Sequence, residues 1–405
     1  MIKTVNGGVC APIGFKAAGV HCGVRKNKSK RDLALIVSDA PCAAAAVYTT
    51  NLVKGAPIDV TRKNIADGKA QAIICNSGNA NTCNADGIEV AEKMCALVEE
   101  AIGIPATDVV VASTGVIGQP LDITPIQNGM PALVADLSED GSQRAAEGIM
   151  TTDTRLKEIA VEFEVGGKTC RMGGIAKGSG MIHPNMATML VFITTDAAID
   201  PTLLDRLLRG DVQNSFNMVS VDGDTSTNDT VAILANGRAG NPIIAAEGAD
   251  LDAFAEALAA VTTYLCRCIA KDGEGATKLL ECRVSGAATH LTAKTVAKAV
   301  ICSSLLKAAM FGADANWGRV LCAIGYSGAV LDVTKIDVAF ASTKGRIEVC
   351  RNGAGIPFSE ETAKEILLED EILIEIHLND GEEKATAFGC DLTYDYVKIN
   401  GDYRT

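Results

Sequence analysis

Apolar residues recur every three or four positions in three stretches of the chain, and this spacing predicts amphipathic helices. The first helix is predicted over Asp86–Gly103, where the glycine marks its end. The second begins at Pro201, a residue favoured in the first helical turn. The third carries apolar side chains from Leu251 to Ile269 and ends at Asp272–Gly273.

Short apolar runs bounded by glycine, asparagine or aspartate predict buried strands. Four such runs are Gln71–Cys75, Asp108–Ala112, Met189–Thr194 and Val231–Ala235. Near the C-terminus, apolar and polar residues alternate over Ile372–Leu378, which predicts a strand with one face toward solvent. Because helical and strand patterns alternate along the chain, the sequence predicts an α/β fold.

The composition favours close packing of small side chains. The 405 residues are 48% hydrophobic but only 4% aromatic, and they include 39 glycines. Such a chain can bury a large core, which excludes disorder, and its length suggests about two or three domains. No internal repeat or low-complexity linker divides the sequence.

The charge balance limits the classes of partner. Lys and Arg number 37 against 50 Asp and Glu, which gives a net charge of −13. An acidic surface repels phosphate, so we expect neither nucleic acid nor an anionic membrane as a partner. The chain shows no signal-peptide core, and no stretch approaches the roughly 20 apolar residues of a membrane span. We therefore expect a soluble, cytoplasmic protein.

Metal binding and disulfide bonding are not supported by the residue spacing. None of the 14 cysteines forms a Cys-x-x-Cys pair, so reduced thiols are expected. The four histidines lack the spacing of a zinc site or of a Ser-His-Asp triad, and His183 is interpreted as structural. Asp222–Asp229 is rich in acidic residues, but Thr227 stands where a calcium loop needs glycine. Nucleotide-binding glycine loops are also lacking, and no metal or cofactor is expected.

Thr188 is the strongest candidate for chemistry. It follows Ala187 and precedes the apolar run Met189–Ile193. Its hydroxyl could attack the preceding carbonyl and cut the chain, which would free an α-amine with a pKa near ~8 to act as base to the same side chain. The alternative is an ordinary β-branched strand residue. The glycines of the preceding Lys177–Gly180 segment favour the reactive interpretation.

Three glycine-containing segments have both a functional and an ordinary interpretation. Ser113–Gly118 follows a predicted strand and could stabilise an oxyanion, although its residues alone favour a plain turn. Glu274, in Asp272–Lys278, could bind an amino group, although an ordinary loop acid is the simpler interpretation. Asn76–Asn81 is a polar loop that lines a site or merely connects two elements.

Taken together, these segments resemble those of one enzyme family, the ornithine acetyltransferases, which are the glutamate N-acetyltransferases of arginine biosynthesis. The resemblance covers essentially the whole chain. It is carried, in order, by Ser113–Gly118, Lys177–Leu190, Asp272–Lys278, Asp314–Arg319 and Asn400–Thr405.

The resemblance implies a fold, a cleavage and an assembly. The fold is α/β (α+β), with αββα-type layers like those of self-processing amidohydrolases and a smaller C-terminal α/β part. Cleavage between Ala187 and Thr188 would give an α chain, 1–187, and a β chain, 188–405. The two chains stay associated, usually as α2β2.

The resemblance also implies roles for individual residues. Thr188 corresponds to the nucleophile, and Thr114 with Gly115 corresponds to the oxyanion hole. The substrate-binding positions, besides Thr188, are Thr152, Lys177, Glu274, Asn400 and Thr405. The assignment of Thr152 has an uncertain register, because Thr151 and Thr154 are close by.

The activity so implied is transfer of an acetyl group from N2-acetylornithine to glutamate through an acetyl ester on Thr188, without an external cofactor. Some family members also accept acetyl-CoA as donor. An alternative is a self-processing amidase or aminopeptidase that passes the acyl group to water. A non-enzymatic alternative is an acidic small-molecule binder, which would need no nucleophile.

Overall fold

The computed structural model describes residues 2–183 and 189–401, and within them it has eleven α-helices and sixteen strands. The helices are α1 Ala56–Asn64, α2 Gly87–Ile102, α3 Thr124–Ala135, α4 Ser142–Ile149, α5 Pro201–Asn214, α6 Ala249–Lys271, α7 His290–Cys302, α8 Ser304–Phe311, α9 Trp317–Gly325, α10 Glu360–Leu367 and α11 Tyr394–Asn400. The strands are β1 Lys3–Val5, β2 Phe15–Val20, β3 Leu33–Tyr48, β4 Lys69–Asn76, β5 Val109–Ser113, β6 Lys157–Val165, β7 Lys168–Lys177, β8 Leu190–Thr195, β9 Val219–Ser220, β10 Thr230–Ala235, β11 Leu279–Ala287, β12 Asp337–Ser342, β13 Gly345–Arg351, β14 Ala354–Gly355, β15 Glu371–His377 and β16 Glu383–Cys390.

The three predicted helices and five predicted strands are confirmed, with ends shifted by a few residues. Helix α2 ends at Ile102 and is capped by Gly103, which adopts a left-handed conformation with φ 76°. Helix α5 begins at Pro201, and the Asp200 side chain caps it by accepting hydrogen bonds from the N–H groups of Thr202 and Leu203. Local end signals therefore set these boundaries.

The larger sheet has nine strands in the order β1-β6-β7-β8-β10-β3-β4-β5, with β2 also paired to β3. Strand β3 is 16 residues long, and its pairing with β4 shifts register between Val37 and Cys42. Its first half pairs with β2 and its second half with β10. One long strand therefore belongs to both halves of the sheet.

The two halves of this sheet face each other across a shared core. Phe15, Ile36, Ile73 and Val110 come from one half, whereas Ile175, Phe192 and Leu234 come from the other. The opposite face of one half packs against α5 and α6, and that of the other against α2 and α3. These layers confirm the αββα-type arrangement.

The second sheet builds the smaller C-terminal α/β part. Its seven strands run in the order β14-β13-β12-β15-β11-β16-β9, and helices α7 to α10 share its apolar core. In β15, Ile372, Ile374 and Ile376 are buried whereas the residues between them are partly exposed. The alternation predicted for this strand therefore reflects one packed face.

Helix α6 is the longest helix in the described residues. It is 23 residues long and, by length and composition, is the one helix in the described ranges that could cross a membrane. Its apolar side chains, including Phe254, Leu258 and Leu265, are buried, and the helix contacts strands of both sheets. Its hydrophobic stripe is thus accounted for by core packing.

Candidate active site

One cavity of about 520 Å³ brings most of the predicted site residues together. Six of them line it: Thr114, Gly115, Thr152, Lys177, Glu274 and Asn400. Ala187, Thr188 and Thr405 lie outside the described residues. Two larger cavities, of about 860 and 930 Å³, contain none of the predicted residues, so size alone does not identify the site.

Thr114 and Gly115 follow strand β5 and present two unused hydrogen-bond donors. The Thr114 N–H donates to the Asn76 carbonyl at 3.0 Å. The Thr114 hydroxyl and the Gly115 N–H have no hydrogen-bond partner in the described part of the chain. Two uncommitted donors at adjacent positions suit an oxyanion.

The backbone at Gly115 requires glycine. Its φ is +132°, and an added Cβ would lie 2.7 Å from the Gly78 carbonyl carbon. Asn228 fixes the same region, because its Nδ2 donates to the carbonyls of Ser113 at 2.9 Å and Ala80 at 2.6 Å. The donors are therefore held on a rigid support.

Lys177 places a buried ammonium group against the cavity. It ends strand β7, opposite Leu190 of β8, and is only 2% exposed. Its Nζ makes no hydrogen bond or ion pair with any residue in ranges 2–183 and 189–401. Burial lowers the pKa of Lys177, as do the nearby cations Lys157 and Arg25, and Asp153 and Asp229 oppose the shift.

A buried ion network lies behind Lys177. The Lys157 Nζ bonds Asp153 at 2.7 Å and Asp272 at 2.5 Å. Asp153 also accepts the Gly178 N–H at 2.7 Å. Burial raises the pKa of Asp153, but Lys177 and Lys157 outweigh it, so the pKa lies below its usual value. Asp153 therefore remains a carboxylate that supports the Lys177 segment.

The same ion network distinguishes Thr154 from the neighbouring Thr151 and Thr152. Thr154 donates to Asp272 through its N–H and hydroxyl, which turns it away from the cavity. Thr151 and Thr152 both line the cavity. Of these three threonines, only Thr151 and Thr152 are therefore placed to contact a molecule in this cavity.

Glu274 places a buried carboxylate in the same cavity. Its Oε2 accepts a hydrogen bond from Asn400 Nδ2 at 2.8 Å, across 126 residues of sequence. No Lys, Arg or His in the described chain forms an ion pair with it. An acid without a cationic partner at this depth suits the ammonium group of a ligand.

We expect Gly180→Ala to weaken binding of an amine-bearing substrate. An added Cβ would lie 2.4 Å from the Glu274 carboxyl carbon and would displace that group. The measurement is KM in steady-state kinetics. Gly210→Ala in α5 is the matched control, because its Cβ would meet nothing within 4 Å. An unchanged KM in Gly180→Ala would show that the Glu274 position is not critical.

Sequence reasoning missed the residues of the loop before β10. Ser226, Thr227 and Asn228 line the cavity, but the loop was considered only as a calcium site. The signal available was a polar pair, Asn228–Asp229, directly before a buried strand. His183, by contrast, does not line the cavity; its Nδ1 lies 3.4 Å from Ser220 Oγ.

The described residues contain no group of three or more His, Cys, Asp or Glu side chains that could hold a metal ion. All 14 cysteines fall within these ranges and are free thiols, as expected. The described residues that line the cavity offer threonine hydroxyls, a lysine, a glutamate and backbone donors.

Comparisons with known proteins agree over the length of the chain. A sequence model of the ArgJ family matches residues 16–405. The arginine biosynthesis bifunctional protein ArgJ of Symbiobacterium thermophilum is 54% identical over 406 residues, covering all of both chains. That of Caldanaerobacter subterraneus subsp. tengcongensis is 50% identical over 405 residues, again covering all of both.

A solved structure gives a further likeness. The crystal structure of arginine biosynthesis bifunctional protein ArgJ from Bacillus halodurans is 46% identical with a TM-score of 0.50. The match covers 52% of this chain and 98% of that one. The solved chain is therefore about half as long as this sequence.

Proposed function

The chain belongs to the ArgJ family of arginine-biosynthesis acyltransferases, and from this premise we propose that it transfers the acetyl group of N2-acetyl-L-ornithine to L-glutamate through an acetyl ester on Thr188. The products are ornithine and N-acetylglutamate. The single observation that carries this proposal is a set of polar groups that line one cavity: the Lys177 ammonium, the Glu274 carboxylate, which has no cationic partner in the described residues, and the unused donors of Thr114 and Gly115.

These groups match the chemistry of the substrates. Acetylornithine and glutamate each carry an α-carboxylate, which suits Lys177. The side-chain ammonium of ornithine suits Glu274, and the acetyl carbonyl suits Thr114 with Gly115. The Asn400 carboxamide has both a donor and an acceptor, so it can contact an ammonium or a carboxylate. We assign Thr152 and Thr405 as further substrate contacts.

The proposed nucleophile, Thr188, is supplied by cleavage of the bond after Ala187. The chain would then consist of fragments 1–187 and 188–405. Two observations support this division. The match to the Bacillus halodurans ArgJ chain covers 52% of this chain and 98% of that one, which is close to the length of fragment 188–405. Leu190, two residues after Thr188, pairs with Lys177 in the cavity wall.

The proposed reaction has two halves. The Thr188 amine takes the proton of its own hydroxyl, and the oxygen attacks the acetyl carbonyl. The negative charge that develops on the carbonyl oxygen is stabilised by Thr114 and Gly115. Ornithine leaves with the proton from the amine, and the glutamate amine then attacks the acetyl ester. N-acetylglutamate departs, and the Thr188 hydroxyl is restored.

The test is release of ornithine from acetylornithine with and without glutamate. Rapid release that requires glutamate, with equal formation of N-acetylglutamate, is the expected result. Equal release in both conditions would instead identify a hydrolase of the amidase class. An enzyme that released no ornithine under either condition would refute the proposed substrate.

We expect Thr114→Ala to lower kcat by roughly 10²–10³-fold, because it removes one of the two oxyanion donors. Thr114→Ser, which keeps a hydroxyl, should retain most of the activity. The measurement is kcat with acetylornithine and glutamate at saturation. A Thr114→Ala rate within a few-fold of wild type would remove this residue from the oxyanion site.

Acetyl-CoA is proposed as a second donor, because the relatives are named bifunctional proteins. N-acetylglutamate formed from acetyl-CoA and glutamate would support this activity, whereas no product would restrict the enzyme to acetylornithine.

We also propose an α2β2 assembly. Its mass in solution, measured by light scattering, should equal twice the 42.0 kDa chain.

A further inference from the structure

Asp229 has one carboxyl oxygen without a hydrogen-bond partner in the described residues, and it contacts the backbone of the residue that follows Thr188. It directly precedes strand β10 and is fully buried. Its Oδ1 accepts the Met189 N–H at 2.8 Å. Its Oδ2 has no hydrogen-bond partner in the described ranges. Buried polar atoms are normally satisfied, so this oxygen needs an explanation.

The contact with Met189 brings Asp229 next to Thr188 along the chain. The Met189 nitrogen belongs to the peptide group that begins at the Thr188 carbonyl carbon. Strand pairing holds this point, because Leu190 lies opposite Thr230 and the Thr230 N–H donates to the Met189 carbonyl at 3.2 Å. Asp229 therefore hydrogen-bonds to the backbone of the residue that follows the proposed nucleophile.

A second acid, Asp222, hydrogen-bonds to the backbone on the N-terminal side of the proposed cleavage point. Asp222 accepts the Met181 N–H at 2.6 Å and the Ile182 N–H at 2.8 Å, one on each carboxyl oxygen. Met181 has φ 58°, an unusual conformation for a bulky residue, which these hydrogen bonds hold in place. Both carboxyl oxygens of Asp222 therefore accept hydrogen bonds, whereas one oxygen of Asp229 has no partner in the described residues.

We propose that Asp229 is the proton carrier for chain cleavage before Thr188. This inference rests on the proposed self-cleavage and deepens it. Departure of an amide nitrogen requires a proton, and a neutral carboxyl group at this position can give one.

The surroundings of Asp229 favour that neutral form. Burial raises its pKa well above the usual value. The Met189 N–H, the Lys177 ammonium and the nearby hydroxyls of Ser226 and Thr49, neither of which is in hydrogen-bonding geometry with Oδ2, act in the opposite direction but do not outweigh burial. The protonated form of Asp229 is therefore favoured at a position that contacts the backbone of Met189, the residue after Thr188.

The step balances without an added reagent other than water. The Thr188 hydroxyl oxygen bonds to the Ala187 carbonyl carbon, and the bond from that carbon to the Thr188 nitrogen breaks. Asp229 gives its proton to the departing nitrogen, and the hydroxyl proton passes to the Asp229 carboxylate. Water then hydrolyses the ester, which leaves the Ala187 carboxylate and a free Thr188 hydroxyl.

The experiment follows cleavage of the full chain made by cell-free translation, across a pH series from acidic to alkaline. The wild-type rate should fall as pH rises through the Asp229 pKa, because the donating form is the protonated one. Asp229→Asn, which keeps an acceptor for Met189 but has no acidic proton, should cut about 10²-fold or more slowly. Its residual rate should lack that fall with pH.

Asp222→Asn is the matched control, because Asp222 also binds the backbone near the proposed cleavage point but both of its carboxyl oxygens already accept hydrogen bonds. It should slow cleavage through looser positioning yet keep the wild-type pH profile. Asp229→Glu retains a carboxyl group and should cut slowly with a similar fall, which tests the idea even if Asp229→Asn is insoluble. Hydroxylamine opens an ester directly, so it should not restore cutting in Asp229→Asn.

Three results would overturn the proposal. One is an Asp229→Asn rate within a few-fold of wild type, and another is a slow variant that keeps the wild-type pH profile. The third is rescue by hydroxylamine, which would move the role of Asp229 to ester hydrolysis. A wild-type chain that stays uncut would instead refute self-cleavage itself, and the Asp229 assignment with it.

Discussion

Replacing Thr188 with alanine is expected to leave the 42.0 kDa chain uncut and to abolish acetyl transfer. Alanine has no hydroxyl, so it can neither attack the preceding carbonyl nor carry an acetyl ester. Both losses follow from one missing oxygen. Intact-mass measurement should find a single species, and ornithine release should fall to background.

Thr188→Ser provides the matched variant because it keeps a hydroxyl. It should be cut into two fragments and should retain partial activity. In mature wild-type protein, N-terminal sequencing should find a second sequence that begins Thr188–Met189–Leu190. Full transfer activity in Thr188→Ala, or an active wild-type enzyme with methionine as its only N-terminal residue, would refute the assigned nucleophile.

Local patterns predicted those elements of the fold that are determined locally. Helix α6 shows regular apolar spacing and β15 shows strict alternation, and both were found near their predicted positions. Strand β3 was not predicted, because Ser38–Pro41 in its middle has the composition of a turn. A register shift accommodates this segment while β2, β4 and β10 pair along its length. Those long-range partners cannot be read from local sequence.

The site shows the same division. The residues alone favoured ordinary interpretations for Ser113–Gly118 and Glu274, and only the resemblance to a family gave them roles. The structure adds that Glu274 meets Asn400 across 126 residues and that Asn228 reaches Ser113 across 115. Such contacts leave no periodic signal. Asp229 was missed for a related reason, since its importance lies in one hydrogen bond to a distant backbone group.

Neutralising Lys177 and Glu274, each in a separate variant, should affect the two substrates differently. This is the second large effect that we expect. Lys177→Met should lower kcat/KM for both acetylornithine and glutamate by roughly 10²–10³-fold, since a buried, charge-assisted contact to each α-carboxylate is lost. The protein should still fold, because Asp153 keeps its bonds to Lys157 and to the Gly178 N–H. Glu274→Gln should weaken acetylornithine far more than glutamate, because only ornithine carries a side-chain ammonium.

The pH dependence separates a charge effect from a packing effect. Burial lowers the pKa of Lys177, so its ammonium form is lost at a lower pH than in an exposed lysine. Wild-type kcat/KM should therefore fall as pH rises through that lowered pKa, and Lys177→Met should lack this fall. Steady-state kinetics for each substrate over an alkaline pH series measure both effects. Equal losses of kcat/KM for the two substrates in Glu274→Gln would show that Glu274 does not bind the ornithine ammonium. An unchanged pH profile in Lys177→Met would show that other residues bind the α-carboxylate.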